Sequence, residues 1–99
     1  MSDSNDEQIQ LPPSSIWNNV AKISITEDKP IMLDYWVDSL NKEVLIGVKE
    51  NDEKLLVKNA EEYTSPISKI FKVDNVYIIT TENSIYITHS DINKRKVSS

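Results

Sequence analysis

From residue 20 onward, apolar residues alternate with polar ones along most of the chain, and this alternation predicts β-strands. A period of two places successive side chains on opposite faces of a strand. Turn residues interrupt the pattern about every ten residues, which is typical of consecutive short strands. The predicted strands are residues 20–26, 31–38, 43–49, 54–58, 67–73, 76–81 and 84–89. We therefore expect an all-β fold, a small antiparallel meander that partly closes into an SH3-like barrel.

One short N-terminal helix is expected before the first strand. Pro12 and Pro13 stiffen the chain, and the two serines that follow offer side-chain oxygens for a helix N-cap. One or two helical turns over residues 15–21 would place Ile16, Trp17 and Val20 on one face. We expect that face to close an open edge of the core.

The turns are expected to depend on asparagine, because the chain contains one glycine in 99 residues. Asparagine is the next residue type that tolerates a positive φ. Five asparagines fall between predicted strands: Asn41, Asn51, Asn59, Asn75 and Asn83. The glycine, Gly47, lies inside a predicted strand instead, which is typical of a bulge or a sharp bend, with close approach of a ligand as the alternative.

Composition divides the chain into three parts. Residues 1–13 contain little apolar surface and several acids, which favours a flexible acidic arm. Residues 14–91 are expected to form a single β-rich domain, and residues 92–99 a flexible basic tail around Lys94, Arg95 and Lys96. The net charge of −5 makes nucleic acid a disfavoured partner, because an acidic body repels phosphate at long range.

Most kinds of catalytic site are excluded by the residue types. Without cysteine there are no disulfides, thiolate nucleophiles or cysteine-ligated zinc. The phosphate-binding and nucleophile motifs need at least two glycines, and the chain has only Gly47. The histidine metal motifs need at least two histidines, and the chain has only His89. On a strand, Asp34 and Asp38 would be about 13 Å apart, which is too far to share a proton. We expect no enzymatic activity, no cofactor and no metal.

The candidate binding site is the outer face of the predicted strand 31–38. Alternation places Met32, Asp34, Trp36 and Asp38 on that face. Tryptophan is favoured at the centres of protein–protein interfaces, so an exposed Trp36 indicates a partner. The alternative is that Trp36 is covered by the helix of residues 15–21 or by Trp17.

The leading hypothesis is therefore a non-enzymatic protein-binding module. Its size and composition suit a small viral or phage accessory or structural protein, located in the host cytoplasm or the virion, with no membrane span. A second hypothesis is an acidic decoy that occupies a nucleic-acid-binding site on another protein. Its phosphate-like acids would be Glu50, Asp52, Glu53, Glu61 and Glu62.

A third hypothesis is a small-barrel nucleic-acid binder. It would use exposed aromatic side chains together with Lys54, Lys58, Lys69 and Lys72. Homo-oligomerisation stays open under all three hypotheses, because a meander that does not close leaves strand edges for pairing.

Overall fold

The computed structural model describes residues 11–97, which form two helices and eight strands. A single 3-10 turn, Ser14–Ile16, leads directly into α1, Trp17–Glu27, and a shorter helix, α2, spans Trp36–Leu40. The strands are β1 Ile31–Met32, β2 Leu45–Val48, β3 Lys54–Asn59, β4 Glu62–Tyr63, β5 Ile67–Val73, β6 Val76–Thr81, β7 Ile85–His89 and β8 Asn93–Lys96. The predicted β-rich fold with a short N-terminal helix is confirmed at this level.

The strands form two separate four-stranded sheets, and the described strands close no barrel. Sheet A has the order β1-β7-β6-β5, and sheet B has the order β4-β3-β2-β8. Antiparallel hairpins connect β5 to β6 to β7 and β2 to β3 to β4. The outermost pairs β1–β7 and β2–β8 are parallel, so the chain is not a simple meander.

Sheet A lies between α1 and sheet B. One face of β6 carries Val76 and Ile78, which pack in a core with Ile16 and Val20 from the N-terminal helical region. The opposite face carries Ile79, which packs in a second core with residues of sheet B and the preceding loops: Tyr35, Val44, Ile46 and Leu56. The central strand is therefore buried on both faces, and the molecule has three layers.

The predicted strand over residues 20–26 is wrong, because these residues belong to α1. Ile16, Val20 and Ile23 repeat at helical spacing and all pack on the first core. The β-branched residues of this segment also satisfy a period of two, so local preference and alternation both indicated a strand. Ile25, which fits the alternation but not the helical face, is 80% exposed.

The predicted strand over residues 31–38 is wrong beyond Met32. The chain pairs with β7 for two residues, turns at Leu33–Trp36 through a hydrogen bond from the Trp36 N–H to the Leu33 carbonyl, and enters α2. Trp36, Ser39 and Leu40 then face the core at spacings of three and four. Helical rather than strand periodicity therefore decides which of these side chains are buried.

The turns use asparagine differently from the prediction. Positive φ occurs at a lysine and three aspartates: Asp28, Lys42, Asp52 and Asp74. Asn51 and Asn59 act through their side chains instead, because each Oδ1 accepts a hydrogen bond from the backbone N–H two residues later. These two asparagines are turn residues, as expected, but the left-handed conformation belongs to other residues.

The predicted bulge at Gly47 is wrong, since β2 keeps regular register through Gly47 with both neighbouring strands. The predicted flexible tail also needs correction. Residues 93–96 form β8, which pairs in parallel with β2 and extends the folded part past residue 91. Of the predicted arm over residues 1–13, residues 1–10 lie outside the described residues, and so do residues 98 and 99 of the tail. Within residues 11–97, neither helix is long and apolar enough to cross a membrane.

Candidate functional site

The four residues of the predicted binding face do not share a face. Met32 lies in β1 opposite Tyr86, and Asp34 is exposed in the turn before α2. Trp36 is only 5% exposed, and Asp38 bonds to the Lys58 ammonium at 2.9 Å. The side chains scatter because the strand ends at Met32 and the helix begins at Trp36.

Trp36 is a core residue. It packs in the same cluster as Ile16 and Val20 of the N-terminal helical region, and Trp17 packs against that cluster. The alternative in which this helix covers Trp36 is therefore correct, and the expectation of an exposed tryptophan is wrong. Partner binding by these four residues stays a prediction.

Two polar side chains near the end of β7, those of Ser39 and His89, form hydrogen bonds to backbone groups. The buried Ser39 hydroxyl donates to the Trp36 carbonyl at 2.6 Å and accepts from the His89 N–H at 2.9 Å, so it joins α2 to the end of β7. The His89 Nδ1 accepts the Asp91 N–H at 3.0 Å and caps the turn after β7. Both side chains bond to backbone groups, and β7 ends at His89, where the predicted strand 84–89 also ends.

Lys58 connects sheet B to α2. Its ammonium contacts the carboxylates of Asp38 and Glu62 and lies 4.7 Å from the centre of the Tyr35 ring. The hydrogen bond to Asp38 is the main reason why the pKa of Lys58 lies above its ordinary value. The ring of Tyr35 meets that of Tyr86 edge to face at 5.4 Å, and burial raises the pKa of Tyr35. This cluster connects β3 of sheet B to α2 and, through Tyr35 and Tyr86, to β7 of sheet A.

A groove opens on the face of sheet B that points away from sheet A. The strand registers place Gly47, Leu55 and Val57 on that face, with Tyr63 beside Val57. The space is about 630 Å³, within the range of pockets that hold ligands or side chains. The residues around it are Lys49, Leu55, Val57, Asn59, Ala60, Tyr63, Lys96 and Val97. We call this space the sheet B groove.

The floor of the sheet B groove is built on Gly47. A Cβ placed on Gly47 would lie 3.0 Å from Val57 Cγ2 and 3.0 Å from Val97 Cγ1. Contacts this short are tighter than ordinary packing, so the absent side chain lets the two valines cover β2. This close approach explains why the lone glycine lies inside a strand. It also holds the end of β8 beside the groove.

The aromatic and charged residues at the groove are accessible. Tyr63 is 59% exposed, although a large aromatic side chain gains free energy from burial. Lys49 contacts Glu53 only at 3.8 Å. Lys94, Arg95 and Lys96 are exposed and form no ion pair with any of residues 11–97. The groove therefore combines an apolar floor with two cations of β8: Lys96 lines it, and Arg95 lies on the same face of the sheet because it pairs with Gly47, whereas Lys94 pairs with Ile46 and lies on the opposite face.

Other surfaces of the described part of the chain have less apolar area in a concave space and no cluster of metal-ligating side chains. Leu33 before α2 and Val37 within α2 are exposed, and a shallower space of about 510 Å³ lies between α1 and β5. No group of three or more histidine, aspartate or glutamate side chains within residues 11–97 is placed to hold a metal ion.

No family model, curated protein or solved structure matches this chain. The groove is therefore interpreted from its own geometry. Sequence reasoning missed it because its residues come from four strands that are separate in sequence. Two signals were present: a glycine inside a strand, for which close approach of a ligand was the alternative, and the basic run Lys94-Arg95-Lys96, which was interpreted as a tail.

Proposed function

We propose that this protein is a non-enzymatic protein-binding module and that its partner docks in the sheet B groove. The observation that carries the proposal is the exposed Tyr63 beside an aliphatic floor of Leu55, Val57 and Val97. Tyrosine is enriched at protein interfaces because its ring buries a large apolar area while its hydroxyl finds a polar partner. An apolar side chain of a partner would remove both the ring and the floor from water.

The decoy hypothesis has less support from the placement of its acids. Glu50, Asp52 and Glu53 lie in the turn before β3, whereas Glu61 and Glu62 lie at the turn after it. A six-residue strand separates the two groups by about 17–20 Å. Glu53 and Glu62 also have lysine partners of their own. The acids therefore form two small groups rather than one phosphate-like surface.

Two of the four lysines proposed for nucleic-acid binding form ion pairs within the protein. Lys58 contacts Asp38 and Glu62, and Lys69 contacts Glu27. Single-stranded nucleic acid is usually held by several stacking aromatics along a basic groove. Only Tyr63 supplies an aromatic ring to the sheet B groove among the residues around it.

Site-specific photo-crosslinking tests the proposal. A benzophenone amino acid replaces Tyr63 in one variant and Val37, which lies in α2 and is 50% exposed, in a matched control. Both variants are irradiated in nuclease-treated extract of the cells in which the protein occurs. We expect a discrete protein adduct from position 63 that excess unlabelled wild-type protein suppresses, and none from position 37. A suppressible adduct from position 37 alone would contradict the proposal.

A further inference from the structure

The residues of β8 suggest the chemistry of the partner. β8 is the last strand of sheet B, and its side chains are Asn93, Lys94, Arg95 and Lys96. Arg95 lies on the groove face opposite Gly47 and Lys96 lines the groove, so two neighbouring cations repel each other there. Within residues 11–97 no carboxylate lies within ion-pair distance of either. An anionic partner would relieve this repulsion, so its charge is expected to be complementary to β8.

We infer that the occupant of the sheet B groove is a peptide segment that combines an apolar anchor residue with neighbouring acidic residues. This inference rests on the proposed function and specifies its partner. The anchor side chain would enter the groove between Tyr63 and Val97. The carboxylates of the neighbouring acidic residues would contact the cations of β8. The groove volume of about 630 Å³ accommodates a large aliphatic or aromatic side chain with its flanking backbone.

The same residues disfavour a second copy of β8 as the occupant. Pairing this strand with its own copy would bring two sets of lysine and arginine side chains together, and like charges across a strand pair are destabilising. Lysine at an edge strand is also a common protection against such pairing. The other edge of sheet B, β4, is only two residues long and gives little length for pairing.

The aliphatic floor favours an acidic peptide over a nucleic acid as the occupant of the groove. Leu55, Val57 and Val97 offer methyl groups, which gain free energy from contact with an apolar side chain and none from contact with a phosphate. Arginine and lysine beside such a floor instead suit a carboxylate next to an apolar residue. Both features lie at one groove, so one short segment can use both.

Fluorescence anisotropy with the full chain tests this inference. The probe is a short fluorescein-labelled peptide in which glutamate and aspartate alternate with leucine and phenylalanine. A second peptide replaces its acids with lysine, and a third probe is labelled oligodeoxythymidine. We expect binding of the acidic peptide that weakens as salt increases, because the cations of β8 are exposed. We expect much weaker binding of the other two probes.

Two charge-reversal variants provide the matched comparison. R95E/K96E reverses the two β8 cations on the groove side, whereas K22E/K72E reverses one exposed cation in α1 and one in β5. We expect the first variant to lower the affinity for the acidic peptide about tenfold or more and the second to change it little. Thermal unfolding of both variants confirms that each is folded. Equal losses in both variants would overturn the inference.

Tyr63→Ala separates failure of the inference from failure of the proposed function. If this variant loses affinity for the lysine peptide while the acidic peptide never binds, the groove docks protein and the inferred acidic chemistry is wrong. If Tyr63→Ala changes the affinity for neither peptide, the groove is no docking site and both proposals fail. Binding of oligodeoxythymidine alone, or light scattering from a dimer that R95E/K96E dissociates, would also overturn the inference.

Discussion

At the scale of single residues, the burial of Trp36 depends on the local periodicity of its segment. On a strand over residues 31–38, Leu33 and Val37 would lie on the core face, opposite Trp36 on the outer face. In the structure Leu33 and Val37 are exposed and Trp36 is buried. A change from a period of two to one of 3.6 moves each of these side chains to a different environment. Sequence alone could not resolve this, because an apolar residue at every second position over eight residues also satisfies part of a helical pattern.

Trp36→Ala is expected to lower the free energy of unfolding by about 3–5 kcal/mol, because it empties a large volume in the first core. Val37→Ala, one residue away and 50% exposed, is expected to change it by less than about 0.5 kcal/mol. Urea unfolding followed by far-UV circular dichroism measures both. A folded, equally stable Trp36→Ala variant would contradict the burial of this residue.

Gly47→Ala is expected to lower the free energy of unfolding by about 1–3 kcal/mol, because the new methyl group meets Val57 and Val97 at 3.0 Å. If the clash is the cause, shortening one of the two valines should reduce the cost of Gly47→Ala. In a Val57→Ala background the cost of Gly47→Ala is expected to fall, since one of the two clashing side chains is then shorter. Chemical unfolding of the four proteins of this cycle measures the coupling, and full additivity would contradict the close approach.

At the scale of elements, the parts predicted well are the ones with local signals. The hairpins of β5, β6 and β7 follow the alternation and turns of the sequence, and β2 and β3 follow theirs with small changes at the ends. α1 was missed over residues 22–27 because isoleucine and threonine favour strands locally, while packing on sheet A decides for the helix. β8 was missed because its parallel pairing with β2, about 48 residues away, leaves no local pattern.

The end of α1 is held to sheet A by a carboxylate that titrates in acid. Glu27 contacts the ammonium groups of Lys29 and Lys69, and Lys29 also donates to the Thr81 carbonyl. Hydrogen bonds from Lys29 and then Lys69 lower the pKa of Glu27 below its ordinary value of 4.5. The folded state therefore gains stability from this carboxylate above pH 4.5 and loses it as the pH falls through the lowered pKa.

Glu27→Gln is accordingly expected to destabilise the protein at neutral pH and to reduce the loss of stability between neutral pH and acid. Glu82→Gln controls for the removal of one negative charge, because Glu82 is exposed and has no ion pair with residues 11–97. Thermal unfolding at a series of pH values measures both variants. An unchanged pH dependence for Glu27→Gln would show that the bonds to Lys29 and Lys69 contribute nothing.

At the scale of the whole molecule, the two sheets have different surroundings. The central strands of sheet A are covered by α1 on one face and by sheet B on the other. The outer face of sheet B carries the groove, with Tyr63 exposed and Val57 and Val97 half-buried. That the protein binds a partner therefore stays a proposal. The proposed binding site lies on β3, β4 and the end of β8 instead of residues 31–38.

The site itself was beyond local sequence reasoning. Gly47, Tyr63 and Val97 come together only after β2 has paired with β3 on one side and with β8 on the other. Gly47 is conspicuous as a glycine inside a strand, but its local sequence does not indicate that Val57 and Val97 cover it. Their juxtaposition depends on the order of strands in sheet B, which alternation and turn residues do not encode.

The central claim is that the partner contacts the sheet B groove, and NMR tests it most directly. Two-dimensional ¹H–¹⁵N spectra of the labelled protein are recorded while the acidic apolar probe peptide is added. We expect the largest shift changes at the amides of Val57, Tyr63, Arg95 and Val97, with those of Leu33, Val37 and Phe71 unchanged. Changes confined to α2 or β5, with the groove amides unaffected at saturation, would contradict the account.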